Sequence, residues 1–144
     1  MQLRNLLEAK GFQRIVLRKM TTGHYTCRAI LNSKKGVFII DTGASASCID
    51  FDYVGLFNLI QEKSDITAAG AGDSNMKTAL ASNNVLKLED HQTKNMSFVL
   101  FDLSHVKKAI SMVDPSIVHG ILGADYLKKH SAVLDYGRNC MYLK

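Results

Sequence analysis

Residues 37–47 read VFIIDTGASAS, in which four apolar residues lead directly into an aspartate, a threonine and a glycine. Its first four residues are apolar and β-prone, which predicts a buried strand that ends at Asp41. Thr42 and Gly43 then form a tight turn, and small residues follow it. A buried carboxylate without a partner is costly. Asp41 is therefore either a turn residue that faces water or part of a site whose surroundings are arranged for chemistry.

The composition is that of one globular domain with its own hydrophobic core. The 144 residues are 47% hydrophobic and 22% charged and contain a single proline. No apolar run reaches the length of a membrane span or a signal peptide. We therefore expect a cytoplasmic protein without membrane contact. Cys27, Cys48 and Cys140 are odd in number and widely spaced, which favours buried free thiols over disulfides or a zinc site.

The formal net charge of +5 raises nucleic acid as a partner. The lysines and arginines are scattered, however, and their tightest groups are pairs without interleaved aromatic residues. This pattern lacks the footprint of a nucleic-acid groove. The favoured interpretation is a mildly basic protein that binds no nucleic acid, and a basic nucleic-acid adaptor has only the charge balance behind it.

Several catalytic and cofactor motifs are absent from the sequence. It contains no HExxH, no GxSxG and no GxxxxGK[ST], which are the signatures of zinc peptidases, α/β-hydrolases and P-loop enzymes. The five histidines show no ligand spacing, so we expect neither a metal site nor a cofactor. Residues 69–73, AGAGD, echo a glycine-rich phosphate loop only superficially, because no helix follows them.

The rest of the chain predicts short strands joined by turns, with a few short helices. Residues 3–11 predict a helix with Leu3, Leu6 and Leu7 on one face. A second helix is predicted at residues 124–130, with Tyr126 and Leu127 directed inward, and a turn of helix before Pro115. Strands are predicted in residues 12–20, 24–31 and 36–41, and hairpins in residues 65–82, 84–103 and 132–144. The turn of the second hairpin is placed at residues 91–95. This pattern is typical of a mainly β barrel or sandwich.

Farther along the chain, residues 119–127 read HGILGADYL, an apolar pair followed by a glycine and a short helix. Together, DTGAS, a glycine-bearing hairpin, GILG before a helix and a terminal hairpin resemble the retropepsin-like aspartic proteases. These are the single-lobe relatives of pepsin that include the retroviral proteases, and the bacterial and transposon-derived branch looks most similar. The resemblance places the protease domain at residues 24–144. It leaves residues 1–23 as an N-terminal extension of helix and strand.

The resemblance implies a closed acid-protease-type β-barrel with one lobe per chain and a flap hairpin. It also implies an aspartic endopeptidase that cuts a peptide or protein substrate. The family mechanism needs two aspartates that share a water and a proton, yet the chain has one DTG. The nearest echo is DYG at Asp135, which lacks the threonine. The resemblance therefore implies a homodimer in which the two Asp41 residues meet at the two-fold axis.

Each motif residue takes a role from this resemblance. The catalytic turn would consist of Asp41, Thr42 and Gly43, with the threonine hydroxyl bonded to the loop of the other subunit. Packing behind the turn would come from Ile121 and Leu122, and Gly123 would allow the strand to pass close by. Substrate would be held by the active-site loop and the flap tip: Ala44, Ser45, Ala69, Gly70, Ala71, Gly72 and Asp73.

Other interpretations of these features stay open. DTG alone is also an ordinary aspartate-initiated turn, and the glycine-rich hairpin has the residues of any surface turn. No aromatic residue lies near the flap tip. Because fold does not guarantee function, the alternative is a catalytically silent retropepsin-like module that serves in dimerisation or interaction. The terminal strand, residues 140–144, is assigned to the dimer interface only by analogy.

Overall fold

A computed structural model describes residues 1–63 and 77–144 of the chain. Within them lie three α-helices, Leu3–Ala9 (α1), Ser104–Ser111 (α2) and Ala124–Lys129 (α3), and 3-10 turns at Phe51–Tyr53 and Tyr136–Arg138. The same residues form eleven strands: Gln13–Val16 (β1), Arg18–Lys19 (β2), Tyr25–Leu31 (β3), Lys34–Ile40 (β4), Cys48–Asp50 (β5), Glu62–Lys63 (β6), Ala79–Leu88 (β7), His91–Phe101 (β8), Gly120–Leu122 (β9), Val133–Asp135 (β10) and Cys140–Leu143 (β11).

Six of these strands close into a barrel. They pair in the order β3, β4, β9, β5, β8 and β7, and β7 returns to β3 through the pairs Ile30–Lys87 and Leu31–Leu86. The short strands β2 and β6 extend the sheet beside β3 and β7. The prediction of a mainly β fold with a closed barrel lobe and short helices is confirmed.

The barrel interior is filled by apolar side chains that alternate with outward-facing ones along the strands. Phe38, Ile49, Phe98 and Leu122 are fully buried. The ring of Phe38 packs against those of Phe57 and Phe98, at centroid distances of 6.2 and 6.1 Å. Burial of one such side chain stabilises the fold by roughly 1.5–3 kcal/mol. This core therefore holds the strands in register and determines where each strand ends.

The N-terminal residues pair with both sheets. β1 pairs antiparallel with β11, which forms a second, three-stranded sheet in the order β1, β11, β10. β2 pairs with β3 of the barrel. Helix α1 covers the three-stranded sheet, where Leu7 packs against Cys140 and Tyr142. The terminal strand is thus held between β1 and β10 within its own chain.

Two local predictions are corrected by the structure. Residues 91–95 lie inside β8 rather than in a turn, because the chain reverses directly before them, at Glu89 with its left-handed backbone (φ 51°). In α1, only Leu7 is buried, whereas Leu3 and Leu6 are each 41% exposed. The short helix rests on the sheet through one side chain instead of a leucine face.

Other local predictions hold. Tyr126 and Leu127 are buried on α3, α2 ends before Pro115, and the terminal hairpin turns through Asn139 in a left-handed conformation (φ 51°). The predicted flap tip, residues 69–73, lies outside the described residues. No helix in the described part of the chain is long and apolar enough to cross a membrane.

Candidate active site

Two parallel barrel strands bring the motifs DTG and ILG together. β4 and β9 pair in parallel, and Ile39 lies beside Ile121 and Ile40 beside Leu122. The strands end at the same level, and the backbone N–H of Asp41 donates to the carbonyl of Leu122 at 3.0 Å. The parallel pairing of β4 and β9 thus places Asp41 at one edge of the sheet.

The turn after β4 fixes the orientation of the Asp41 carboxylate. The N–H of Gly43 donates to Asp41 Oδ1 at 2.9 Å, and the N–H of Ala44 donates to the Asp41 carbonyl at 3.2 Å. No other hydrogen bond to this carboxylate occurs within residues 1–63 and 77–144. Asp41 is half-buried and Thr42 and Gly43 are exposed. The carboxylate is oriented by the turn, and the turn itself is open to a partner.

Ser47 ties the active-site loop to helix α3. Its side chain is fully buried, and its N–H and hydroxyl donate to the two carboxylate oxygens of Asp125 at 3.0 and 2.7 Å. The N–H of Gly123 donates to Ser47 Oγ at 3.0 Å, and the N–H of Ala124 donates to the carbonyl of Ala44 at 2.7 Å. The loop therefore has a rigid polar anchor on the helix that follows ILG.

Sequence reasoning missed Ser47 and Asp125 as supporting residues. The signal was present, because Ser47 ends the stretch VFIIDTGASAS and Asp125 lies two residues after GILG. Two polar residues next to motifs that meet in space are candidates for a hydrogen bond between them. Nothing in either local pattern, however, specifies that these two residues pair.

Gly123 allows the loop to pass close to the strand end. A Cβ at this position would lie 2.6 Å from the carbonyl oxygen of Ala44 and 3.0 Å from the backbone of Ala46. Gly120 meets the same constraint on the preceding strand, where a Cβ would lie 2.3 Å from the carbonyl oxygen of Cys48. Both glycines are needed because backbone atoms occupy the space that a side chain would take.

The apolar pair behind the turn packs on two different sides. Leu122 points into the barrel core and is fully buried. Ile121 points to a second cluster with Ile39 and Val118, against which the half-buried Ala44 also packs. The active-site loop therefore rests on apolar side chains from both neighbouring strands.

The remaining predicted site residues differ in what surrounds them. Ser45 is exposed. The exposed Thr42 has no side-chain hydrogen bond to any other residue in the ranges 1–63 and 77–144. The predicted flap residues lie outside the described residues. Among the described residues, no group of three or more histidine, cysteine, aspartate or glutamate side chains is arranged to hold a metal ion.

Cys48 lies close to the loop but is not a reactive thiol. Its Sγ donates to the carbonyl of Ala46 at 3.1 Å, and the side chain is buried. Burial, followed by the neighbouring carboxylates of Asp125 and Asp41, raises the pKa of the Cys48 thiol to about 12. The thiol stays protonated at neutral pH, so it is a poor nucleophile there.

Comparison with known proteins agrees with this geometry. Residues 27–126 match the family model described as aspartyl protease. This range includes the turn at Asp41, Gly120 and Gly123 at the two ends of ILG, and Asp125 on α3. A search of curated protein sequences found no significant match.

Three solved structures share the fold. A retropepsin-like aspartic protease from Rickettsia conorii is 18% identical (TM-score 0.58), with 92% of this chain and 90% of that chain covered. The retroviral protease-like domain of Ddi1 from Leishmania major is 16% identical (TM-score 0.58; 83% and 86% covered). The EIAV protease complexed with the inhibitor HBY-793 is 20% identical (TM-score 0.57; 76% and 90% covered). The fold is therefore the retropepsin-like single lobe.

Proposed function

This chain belongs to the aspartyl protease family, and on that premise we propose that it is an aspartic endopeptidase that acts as a homodimer. One observation carries the proposal. Among the described residues, the carboxylate of Asp41 is oriented by a single N–H, that of Gly43, and the turn is exposed at Thr42 and Gly43 and anchored from behind. A carboxylate held this way is available to a water molecule and to a second carboxylate.

The need for a second copy follows from the carboxylates that one chain offers. Asp135 in DYG is the nearest echo of the motif, but its side chain is only 10% exposed and pairs with Arg138 at 3.4 Å. Asp41 therefore has no second motif aspartate in its own chain. Thr42 and Gly43 are exposed beside it, so a two-fold axis next to the turn would bring two identical loops into contact.

The proposed chemistry uses the two Asp41 carboxylates as one unit. Two carboxylates in contact share one proton, because ionising both in a partly buried site is costly. The ionised one removes a proton from the bridging water, which attacks the scissile carbonyl carbon, while the protonated one donates to the carbonyl oxygen. Collapse of the tetrahedral intermediate returns a proton to the leaving amine. No bond to the enzyme forms at any step.

Replacing Asp41 tests the assignment. Asp41→Asn removes the general base, so cleavage of a diverse peptide library at pH 4–7 should fall by at least about 100-fold. Asp135→Asn is the matched control and should keep its activity. Sedimentation should show that Asp41→Asn forms the same dimer as the parent protein. Equal cleavage by Asp41→Asn and the parent would contradict the catalytic role.

Dilution tests the homodimer separately. If each site needs two chains, specific activity should decline with dilution in step with the dimer fraction measured by sedimentation. Full activity of a protein that is monomeric at every concentration would refute the shared site. A dimer that cleaves no peptide and binds no statine-type analogue would instead identify a silent interaction module. The cytoplasmic location and the peptide substrate remain predictions.

A further inference from the structure

A cavity of about 220 Å³ lies between helix α1 and the three-stranded sheet. It is lined by Gln2, Leu3, Arg4, Arg14, Arg138 and Tyr142. Half of these residues are arginines, contributed by α1, by β1 and by the turn before β11. None of them belongs to the active-site loop or to β9. The cavity is therefore a feature of the molecule that the protease site does not explain.

The sheet register explains why Arg14 lies in this cavity. Arg14 is directly opposite Tyr142 in the β1–β11 pair, so both residues are on the same face of the sheet. Tyr142 and Cys140 pack with Leu7 of α1 on this face. The alternate residue Met141 belongs to the barrel core on the other face. The outer face thus carries α1, Arg14 and the cavity together.

The three arginines of the cavity differ in their partners. Arg4 pairs with Glu8 at 2.7 Å and Arg138 pairs with Asp135 at 3.4 Å. Arg14 is half-buried, and in residues 1–63 and 77–144 no carboxylate lies within 4.0 Å of its guanidinium. The carboxylates nearest to it line an adjoining depression that Arg4 and Arg14 share with Glu8, Glu89 and Asp90. Among the described residues, Arg14 therefore forms no ion pair.

Tyr142 is an uncharged neighbour of Arg14 in this cavity. Burial and the neighbouring Cys140 raise the pKa of the Tyr142 phenol, and the nearby Arg14 guanidinium lowers it by less. Its ring and the side chain of Leu3 contribute apolar wall to the cavity, and Gln2 contributes an uncharged polar group. The site thus combines three guanidinium groups, one of them without an ion pair among the described residues, with a partly apolar wall.

We propose that this cavity binds a small ligand that carries a phosphate group, with Arg14 as the central contact. A guanidinium presents five donors in a planar fork that matches phosphate oxygens in pairs. A phosphate ester carries close to two negative charges and three strong acceptors, which suits one unpaired arginine flanked by two paired ones. The cavity is far larger than a single water requires, so it has room for an organic group beside the phosphate.

Calorimetric titration of the full chain tests this site with defined probes: orthophosphate, pyrophosphate, adenosine monophosphate and citrate. The Asp41→Asn background excludes any effect of proteolysis. We expect each phosphate probe to bind at one saturable site per chain, and we expect added NaCl to weaken this binding. Tighter binding of adenosine monophosphate than of orthophosphate would indicate an ester ligand, and equal binding would indicate free phosphate.

Substitutions locate the binding. Arg14→Gln should weaken pyrophosphate binding at least about tenfold. Arg28→Gln is the matched control, because Arg28 is an exposed strand arginine elsewhere, and the change alters net charge equally. Arg138→Gln should weaken binding by several-fold and, being 72% exposed, should leave the unfolding temperature unchanged. If Arg14→Gln does not fold, the affinity of Arg138→Gln for pyrophosphate tests the site instead.

Three results would overturn the proposal. The first is no saturable binding of any phosphate probe at low salt. The second is equal loss of affinity in Arg28→Gln and in the cavity variants, which would indicate a general charge effect. The third is citrate binding as tight as that of pyrophosphate. Because binding is measured without activity, this outcome is independent of whether the chain is a protease.

Discussion

Asp41 is a turn residue that directly follows the end of a buried strand, β4. Its backbone is held by Leu122 and its carboxylate by Gly43, whereas Ser47 and Asp125 fasten the loop that follows. The residues that fasten the loop, Ser47 and Asp125, are thus different from the residue that presents the carboxylate, Asp41. Within the described part of the chain the Asp41 carboxylate keeps one hydrogen bond, and Ser47 and Asp125 behind it hold the loop.

Ser47→Ala should destabilise the protein and loosen the loop. The change removes a hydroxyl that donates to Asp125 and accepts from Gly123, which leaves the buried N–H of Gly123 unsatisfied at a cost of about 1–3 kcal/mol. Ser45→Ala in the same loop is the control, because Ser45 is exposed. Urea unfolding measures both. Equal stability of the two variants would show that the Ser47–Asp125 contact contributes nothing.

Gly123→Ala should displace the active-site loop. The new Cβ would lie 2.6 Å from the carbonyl oxygen of Ala44, and overpacking against backbone costs about 1–3 kcal/mol. Gly55→Ala is the control, because a Cβ at Gly55 meets nothing within 4 Å. Urea unfolding and peptide cleavage are the readouts. A Gly123→Ala protein as stable as Gly55→Ala would disprove the close approach.

At the scale of elements, buried carboxylates hold the connection between β8 and β9 onto the barrel. Asp50 at the end of β5 is 2% exposed and accepts from the N–H of Leu103 and from Lys107 Nζ, at 3.2 and 2.9 Å. Asp114 is also 2% exposed and accepts from Thr21 and Ser116. The two ends of the α2 segment are therefore fixed before the chain enters β9.

Lys107→Met should weaken the attachment of α2 by removing the cation beside Asp50. Lys107 is 24% exposed, so solvent offsets part of the loss, and we expect about 1–3 kcal/mol. Lys108→Met on the same helix is the control, because Lys108 is exposed. Chemical unfolding at neutral pH compares the free energies of unfolding of the two variants. If Lys108→Met loses as much stability as Lys107→Met, the ion pair with Asp50 does not anchor the helix.

At the scale of the whole molecule, two partly buried histidines connect separate elements. His119 Nδ1 accepts from the N–H of Val37 at 3.0 Å, so this nitrogen carries no proton. The ring of His130 at the end of α3 lies 4.5 Å from that of His91 on β8. Burial lowers the pKa of His119, and burial followed by the charge of His91 lowers the pKa of His130. The folded state favours both rings as neutral.

Acidification should therefore destabilise the fold in two stages. The pKa of each of these histidines in the folded state lies below its ordinary 6.5. Such a histidine makes its full contribution to the free energy of unfolding above pH 6.5, and this contribution is lost as the pH falls below that value. Hydrogen bonds from Ser116 and Thr21 hold the pKa of Asp114 well below its ordinary 3.8, so its contribution is lost only at more acidic pH.

Urea unfolding between pH 5 and 8 measures the first stage. His130→Gln should flatten the decline, because one of the two histidines no longer titrates. His105→Gln is the control, since His105 is exposed on α2, and its curve should follow that of the parent. A stability that rises on acidification from pH 7 to pH 5 would contradict the assignment of neutral rings.

By itself, the sequence determined the parts of this protein that depend on local pattern. The apolar run before Asp41 predicted the strand, and Thr42 and Gly43 predicted the turn. The close backbone approach at Gly123 was implied by the family resemblance. The closed barrel followed from the resemblance that these motifs carry. Local chemistry suffices there, because strand period, turn residues and glycine needs are all encoded within a few neighbours.

Only the tertiary structure decided which distant polar residues meet. Ser47 pairs with Asp125 across 78 positions of sequence, and Arg14 and Arg138 line one cavity because β1 and β11 are neighbours. Polar pairs have no periodicity, so no pattern in the sequence announces them. The prediction placed the turn between β7 and β8 at residues 91–95 instead of at Glu89 for a related reason. The polar residues in this region are equally compatible with a turn and with an exposed strand. The register between β7 and β8 in the closed barrel fixes the position of the turn, because a one-residue slip would move every buried side chain to the wrong face.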